Sequence, residues 1–159
     1  GLGNRTLAPM VGLRAEVSPL KGQIMVTERI APTFGGLTLN VRQTGDGTLM
    51  IGDSHEDAGF RTEANVGIGK GIAARALRQF PALGQARMIR QWAALRIMSP
   101  DGYPIYEQSA THPGAFVVNC HSGVTLAAAH ARSLAAQIAA GQLEPLLDPF
   151  HGGRFEEVS

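Results

Sequence analysis

Asn119-Cys120-His121-Ser122-Gly123-Val124-Thr125-Leu126-Ala127-Ala128-Ala129-His130 is the stretch on which the reading of this chain turns. The residues leading into it, Phe116-Val117-Val118-Asn119-Cys120, form an apolar strand, and an Ala-rich helical run follows it. A strand, a polar turn and a helix in that order leave the first backbone N–H groups of the helix without partners. They also place the positive end of its dipole at the turn. Such a spot attracts negative charge, a phosphate or an anionic ring; it is equally the form of an ordinary strand-to-helix turn. No Gly-x-Gly-x-x-Gly follows a strand anywhere in the chain, so half of an expected nucleotide site is missing.

Outward from that turn, residues 123–140 are predicted as one helix, with Gly141 as its C-terminal cap. Residues 103–108 and 115–120 read as short strands, set off by the turns Ser99-Pro100-Asp101-Gly102 and Thr111-His112-Pro113-Gly114. Residues 84–98 read as extended. Residues 17–29 read as a strand with Ile24, Val26 and Glu28 on one face and Met25 and Thr27 on the other. Residues 37–44 and 48–55 make a hairpin around Gly45-Asp46-Gly47, because Asp-Gly supplies the positive φ of a tight turn.

A helical pattern runs through Val66, Ile68, Ile72, Ala76, Leu77 and Phe80. Gly67, Gly69 and Gly71 weaken its first half by about 1 kcal/mol each relative to Ala. The firm helix is therefore expected over residues 72–80, with Pro81 ending it. Residues 6–13 read as a turn of helix stopping at Gly12, residues 31–36 and 56–62 as loops, and the tail from Gln142 as loosely packed. Strands, hairpin, helix, strands and a final helix do not alternate as in a parallel α/β domain. The order reads as α+β with a mixed, largely antiparallel sheet and a flanking helix.

Composition narrows the function classes. The chain has 159 residues, 44% hydrophobic and 17% charged, an ordinary globular balance and enough chain for a core. The net charge is +1, aromatics are 6%, and there is no Lys/Arg run, which argues against a nucleic-acid stripe. No apolar run approaches the ~20 residues of a transmembrane helix, and the first residues do not read as a signal peptide. Cys120 is the single cysteine, so a disulfide framework and a cysteine zinc site are both excluded. His112, His130 and His151 are scattered without metal-ligand spacing, and Asp46 and Asp101 read as turn residues.

Three ordered segments carry a resemblance: Pro19-Leu20-Lys21-Gly22-Gln23-Ile24-Met25-Val26-Thr27-Glu28; Arg42-Gln43-Thr44-Gly45-Asp46-Gly47 through Ile51-Gly52-Asp53-Ser54; and Trp92-Ala93-Ala94-Leu95-Arg96 through Ser99-Pro100-Asp101-Gly102-Tyr103-Pro104 to Cys120-His121-Ser122-Gly123-Val124-Thr125. Together they resemble the C-terminal half of the FAD-dependent D-amino-acid oxidase/glycine oxidase superfamily. Within it they are most similar to the branch holding the B-subunit of octopine/nopaline oxidase, D-hydroxyproline dehydrogenase and the hydrogen cyanide synthase flavoprotein subunit. Ala94 stands where the usual motif has Gly, and Ile97 where it often has Pro.

The resemblance implies an FAD-dependent oxidoreductase. Its reaction would oxidise the C–N bond of an amino acid or related secondary amine carrying a carboxylate, by hydride transfer to flavin and with no obligatory side-chain base. Arg96 would bind the substrate carboxylate, which a planar guanidinium matches with two parallel hydrogen bonds; on residue type alone it reads equally as a structural Arg. His121 would lie near the substrate, or serve only its turn. His55 and Asn40, on the hairpin, would face the same pocket, or be polar sheet residues. Asn119, Cys120, His121, Ser122, Gly123, Val124 and Thr125 would contact the flavin, with Gly22 and Gln23 near the ring.

The expected organisation is residues 1–16 as the tail of a flavin-domain segment, 17–98 as a substrate-binding sheet domain and 99–159 as the C-terminal flavin-contacting strand, turn and helix. On this resemblance the N-terminal part of the FAD-binding domain is expected to lie outside the 159 residues. Expected partners are a small amino acid or amine, and a separate flavin-domain chain or heteromeric subunits. The expected location is cytoplasmic, at most peripheral at the inner membrane through such subunits. The competing expectation is a non-catalytic fragment or a partner-binding subunit.

Overall fold

The computed structural model describes residues 1–33, 35–36 and 38–158, and side chains through Phe155. In chain order the elements are α1 (Asn4–Leu7), a 3₁₀ turn (Ala8–Val11), β1 (Ser18–Arg29), β2 (Val41–Gln43), β3 (Thr48–Gly52), α2 (Val66–Gln79), a 3₁₀ turn (Pro81–Gln85), β4 (Met88–Met98), β5 (Ile105–Gln108) and β6 (Phe116–Asn119). A helical run follows, made of α3 (Ala127–Ala129), a π-helical turn (His130–Leu134) and α4 (Ala135–Ala140); 3₁₀ segments Pro145–Phe150 and Gly152–Val158 close the chain. The mixture of helices with antiparallel sheet is the α+β class expected. Two compact units divide it: residues 20–96, and residues 1–19 with 97–159.

In the unit of residues 20–96 the strand order is β2-β3-β1-β4. The hairpin β2–β3 pairs Val41 with Ile51 and Gln43 with Leu49, and β1 sets Met25 opposite Ile51. The turn between β2 and β3 needs Gly47: φ is +91°, and a Cβ there would stand 2.5 Å from the Ile30 carbonyl oxygen. Asp46 keeps a negative φ, so the glycine alone supplies the left-handed residue. The hairpin's expected first residue, Leu37, and Phe34 of the loop before it lie outside the described residues.

Alternation along β1 is as read, but the face that packs inward is Lys21, Gln23, Met25 and Thr27, while Ile24 and Val26 are only half-buried. Met25, Val41, Leu49 and Ile51 of the sheet meet Ile72 and Ala76 of α2, and Leu83, to form the core.

Helix α2 starts six residues before the expected Ile72, and two features explain this. Asn65 caps it, its side chain accepting from the Ile68 N–H. Gly69 is buried against the Gln91 amide, where a Cβ would come within 2.5 Å of Oε1. Close packing decides that position, and it outweighs the low helix propensity of the glycines.

In the unit of residues 1–19 and 97–159, β5 and β6 pair antiparallel, Ile105 opposite Asn119 and Gln108 opposite Phe116. Ile105 and Val117 pack with Ala8, Leu13, Ala15 and Val17. Gly12 (φ +69°) stops the N-terminal helical turns, as its sequence position implied. The final helix begins at Ala127 rather than Gly123, because residues 121–126 form successive turns, with Leu126 N–H donating to Ser122 C=O. It ends as expected at Gly141 (φ +80°), where Gln142 N–H reaches back to Gln137 C=O and Gly141 N–H to Ile138 C=O.

The tail is not loose. Arg154 makes a forked pair with Asp101, Nε to Oδ2 at 2.8 Å and Nη2 to Oδ1 at 3.0 Å, and Phe150 stacks edge-on against Tyr106. The Arg154 guanidinium holds the Asp101 carboxyl down at about 2.

Candidate functional site

Arg96 lies on β4 in the unit of residues 20–96, with its side chain 22% exposed. Its guanidinium packs flat on the backbone of Gly22 in β1: a Cβ there would stand 2.7 Å from Cζ. Nη1 donates to the Ser54 carbonyl at 2.9 Å, and Nη2 to Asp53 Oδ2 at 2.7 Å. Two of the five guanidinium donors are thereby engaged, and the plane of the group is fixed.

The strap after β3, residues 53–56, supplies the other side of this patch. Arg75 of α2 donates to the Asp53 carbonyl. His55 is exposed, with Nε2 3.8 Å from Asp53 Oδ2. Asn40 sits in a bend just before β2, rather than on the strand, and its carbonyl accepts from Gly52 N–H, next to Asp53.

Below the patch is a buried polar network. Lys21 Nζ lies 3.2 Å from Glu56 Oε2. Glu56 Oε1 accepts from Gln23 Nε2 at 2.7 Å and from Ser54 Oγ at 2.6 Å. Gln23 Oε1 accepts from Asn65 N–H and Gln91 Nε2, each at 2.8 Å, and Ser54 Oγ accepts from Gln23 N–H. The Gln23 side chain is thus committed inside the protein. Arg96, Gly22 and His55 come together, while Asn40 reaches only the Gly52 backbone; Asp53, Ser54, Glu56 and Lys21 join them unannounced. A signal for the latter was available: Lys21 is in phase with Gln23, Met25 and Thr27, a polar residue on the face that packs inward.

The residues of the turn lie in the other unit. Asn119 is 3% exposed at the end of β6; its Oδ1 accepts from Asn4 Nδ2 at 3.0 Å, while its own Nδ2 is buried without a partner. Partial burial pushes the Cys120 thiol up. His121, Ser122, Gly123, Val124 and Thr125 are exposed, Val124 by 95%. His121 Nδ1 is 3.2 Å from Ser122 Oγ. His130 pairs with the Tyr106 hydroxyl at 2.7 Å. Among the described residues no group of His, Cys, Asp or Glu is placed to hold a metal ion, and no helix is long and apolar enough to cross a membrane.

The half-buried guanidinium thus lies on a sheet strand of one unit, and the strand–turn–helix with its unpaired buried amide belongs to the other. Residues 1–137 match the family described as FAD dependent oxidoreductase, and the chain belongs to that family. It is 49% identical over 155 residues to the B-subunit of opine oxidase from Agrobacterium tumefaciens (strain Ach5), covering 98% of this chain and 42% of that protein. To hydrogen cyanide synthase subunit HcnC of Pseudomonas aeruginosa it is 39% identical over 98 residues, 59% of this chain and 24% of that protein. The crystal structure of glycine oxidase from Geobacillus kaustophilus superposes with a TM-score of 0.82 at 23% identity, over 94% of this chain and 42% of that one. The chain therefore spans about two-fifths of the opine oxidase polypeptide it matches.

Proposed function

We propose that this chain forms part of an FAD-dependent oxidoreductase that oxidises the C–N bond of an amino acid or a related secondary amine bearing a carboxylate, with hydride passing to the flavin. The observation that carries the reading is the Arg96 guanidinium, packed on Gly22 and held by Ser54 and Asp53, with the side chain still 22% exposed. A planar fork fixed in one orientation binds a carboxylate without first losing side-chain freedom, and so orients the carbon beside it. His55 borders the same patch, and the Asn40 carbonyl holds the strap next to it.

The residues present fit a flavin. The buried Asn119 Nδ2 lacks an acceptor, which costs roughly 1–3 kcal/mol unless a ligand supplies one. Asn119, Cys120, His121, Ser122, Gly123, Val124 and Thr125 would hold it. Bound FAD supplies the two-electron acceptor. This chain's part is to orient the carboxylate and exclude water. Arg96→Ala in the flavin-loaded protein is expected to raise KM for carboxylate-bearing amines by roughly 10²-fold, about 3 kcal/mol for a charge-assisted fork, with Arg96→Lys in between. An unchanged KM removes Arg96 from this role.

The second reading is a partner-binding subunit with no turnover of its own. It is favoured by β4, an edge strand among the described residues, whose Met88, Ile89 and Trp92 are 55%, 68% and 37% exposed. Two of the relatives above are themselves named as subunits.

A further inference from the structure

We propose that Asp53 is a specificity-determining residue of the Arg96 patch: it selects ligands whose carboxylate is accompanied by a positive charge over plain carboxylates. The inference rests on the reading of Arg96 as the carboxylate binder and adds to it the charge character of the ligand.

The Asp53 carboxylate occupies one arm of the guanidinium at 2.7 Å and is 42% exposed, so it faces whatever binds the remaining arms. The Asp53 backbone does not depend on Arg96 for its place. Its carbonyl is held by Arg75, and its neighbour Ser54 is held through Oγ by Gln23 and Glu56. When a carboxylate takes the free donors of Arg96, Asp53 stays beside it, and two negative groups share one guanidinium.

The charged groups about this point are Arg96 and Arg75 on one side of the balance and Asp53 on the other, with His55 at 3.8 Å on the solvent side. Lys21 and Glu56 cancel each other nearby. With Asp53 the patch carries one excess positive charge; without it, two. The like-charge contact penalises a plain anion, whereas an ammonium group next to the carboxylate answers Asp53 directly. Selectivity of this kind comes from a built-in repulsion as much as from attraction.

Acetate and glycine differ by that ammonium group and have no handedness. Isothermal titration of each into the full-length, flavin-loaded protein, with flavin absorbance followed in parallel, tests the proposal. The wild type is expected to bind glycine more tightly than acetate. Asp53→Asn is expected to tighten acetate about tenfold while glycine is unchanged or weakened, as removal of one close charge contact requires. Asp53→Ser repeats the measurement with a smaller neutral side chain, should the first variant fail to fold.

A glycine-to-acetate ratio that stays within about twofold in a folded variant overturns the proposal and leaves Asp53 a positioning residue for Arg96. A wild type that prefers acetate overturns it too. If instead Arg96→Ala leaves both affinities unchanged, the carboxylate-binding reading fails, and that outcome is distinct from either result at Asp53.

Discussion

Lys21 carries a charge at 6% exposure, and the residues around it explain how. Its ammonium faces Glu56, whose other oxygen takes bonds from Gln23 and Ser54. Burial pushes the Glu56 carboxyl up, but the bonds from Ser54, Gln23 and Lys21 together outweigh it and hold the group below its ordinary value. A carboxylate depressed in the folded state adds stability that is complete above its ordinary value and is lost as the pH falls through the folded one. Lys21→Ala leaves Glu56 buried and unbalanced, and is expected to cost about 3 kcal/mol at neutral pH. Lys21→Met with Glu56→Gln removes both charges and should cost much less. Thermal unfolding of the three proteins between pH 7 and about pH 3 checks both points: the wild type loses stability on acidification through this pair, and the double variant has that component removed.

The glycines of α2 show how one element can hold opposite answers to the same substitution. Gly71 faces open space, so Gly71→Ala gains helix propensity and is expected to stabilise by up to about 1 kcal/mol. At Gly69 the added methyl meets the Gln91 amide, which is itself bonded to Gln23 Oε1 and to the Asn65 carbonyl. There the steric and hydrogen-bond cost is expected to exceed the helix gain and destabilise by about 1–2 kcal/mol. Paired melting curves decide it, and stabilisation by both substitutions would refute the packing account.

Sequence periodicity located α2 and its end at Pro81 but not its beginning, since propensity counts three weak residues and sees neither the Asn65 cap nor the Gln91 side chain across from Gly69. The hairpin was legible because Gly47 is a local requirement. Arg96 was singled out through its neighbours in the chain, and the structure adds the partners that hold it. Asp53, in contrast, acquires its meaning only from three segments meeting, β1 at Gly22, the strap at residues 53–56 and β4 at Arg96, and no local pattern marks such a meeting. The tail misled for the same reason: Pro and Gly suggest looseness, while the Arg154–Asp101 fork spans 53 positions of sequence.

At the scale of the whole molecule, the question is how much of a cofactor site 159 residues can hold. The turn at residues 119–125 offers one orphaned amide and exposed backbone, while the chain contains no glycine fingerprint to grip a dinucleotide's phosphates. Each added hydrogen bond is worth about 1 kcal/mol net, and association itself costs roughly 4–15 kcal/mol in lost freedom. Contacts at one end of a ligand as large as FAD do not outweigh that cost. The chain by itself is therefore expected to bind FAD weakly or not at all, well above the roughly micromolar level that about 8 kcal/mol would give. Titrating FAD with the purified chain, read by flavin absorbance and fluorescence, measures this directly. Sub-micromolar binding would show that the turn and its Asn119 amide suffice for the cofactor. Weak binding that tightens when a chain bearing a dinucleotide fingerprint is added would show that the turn completes a site held elsewhere.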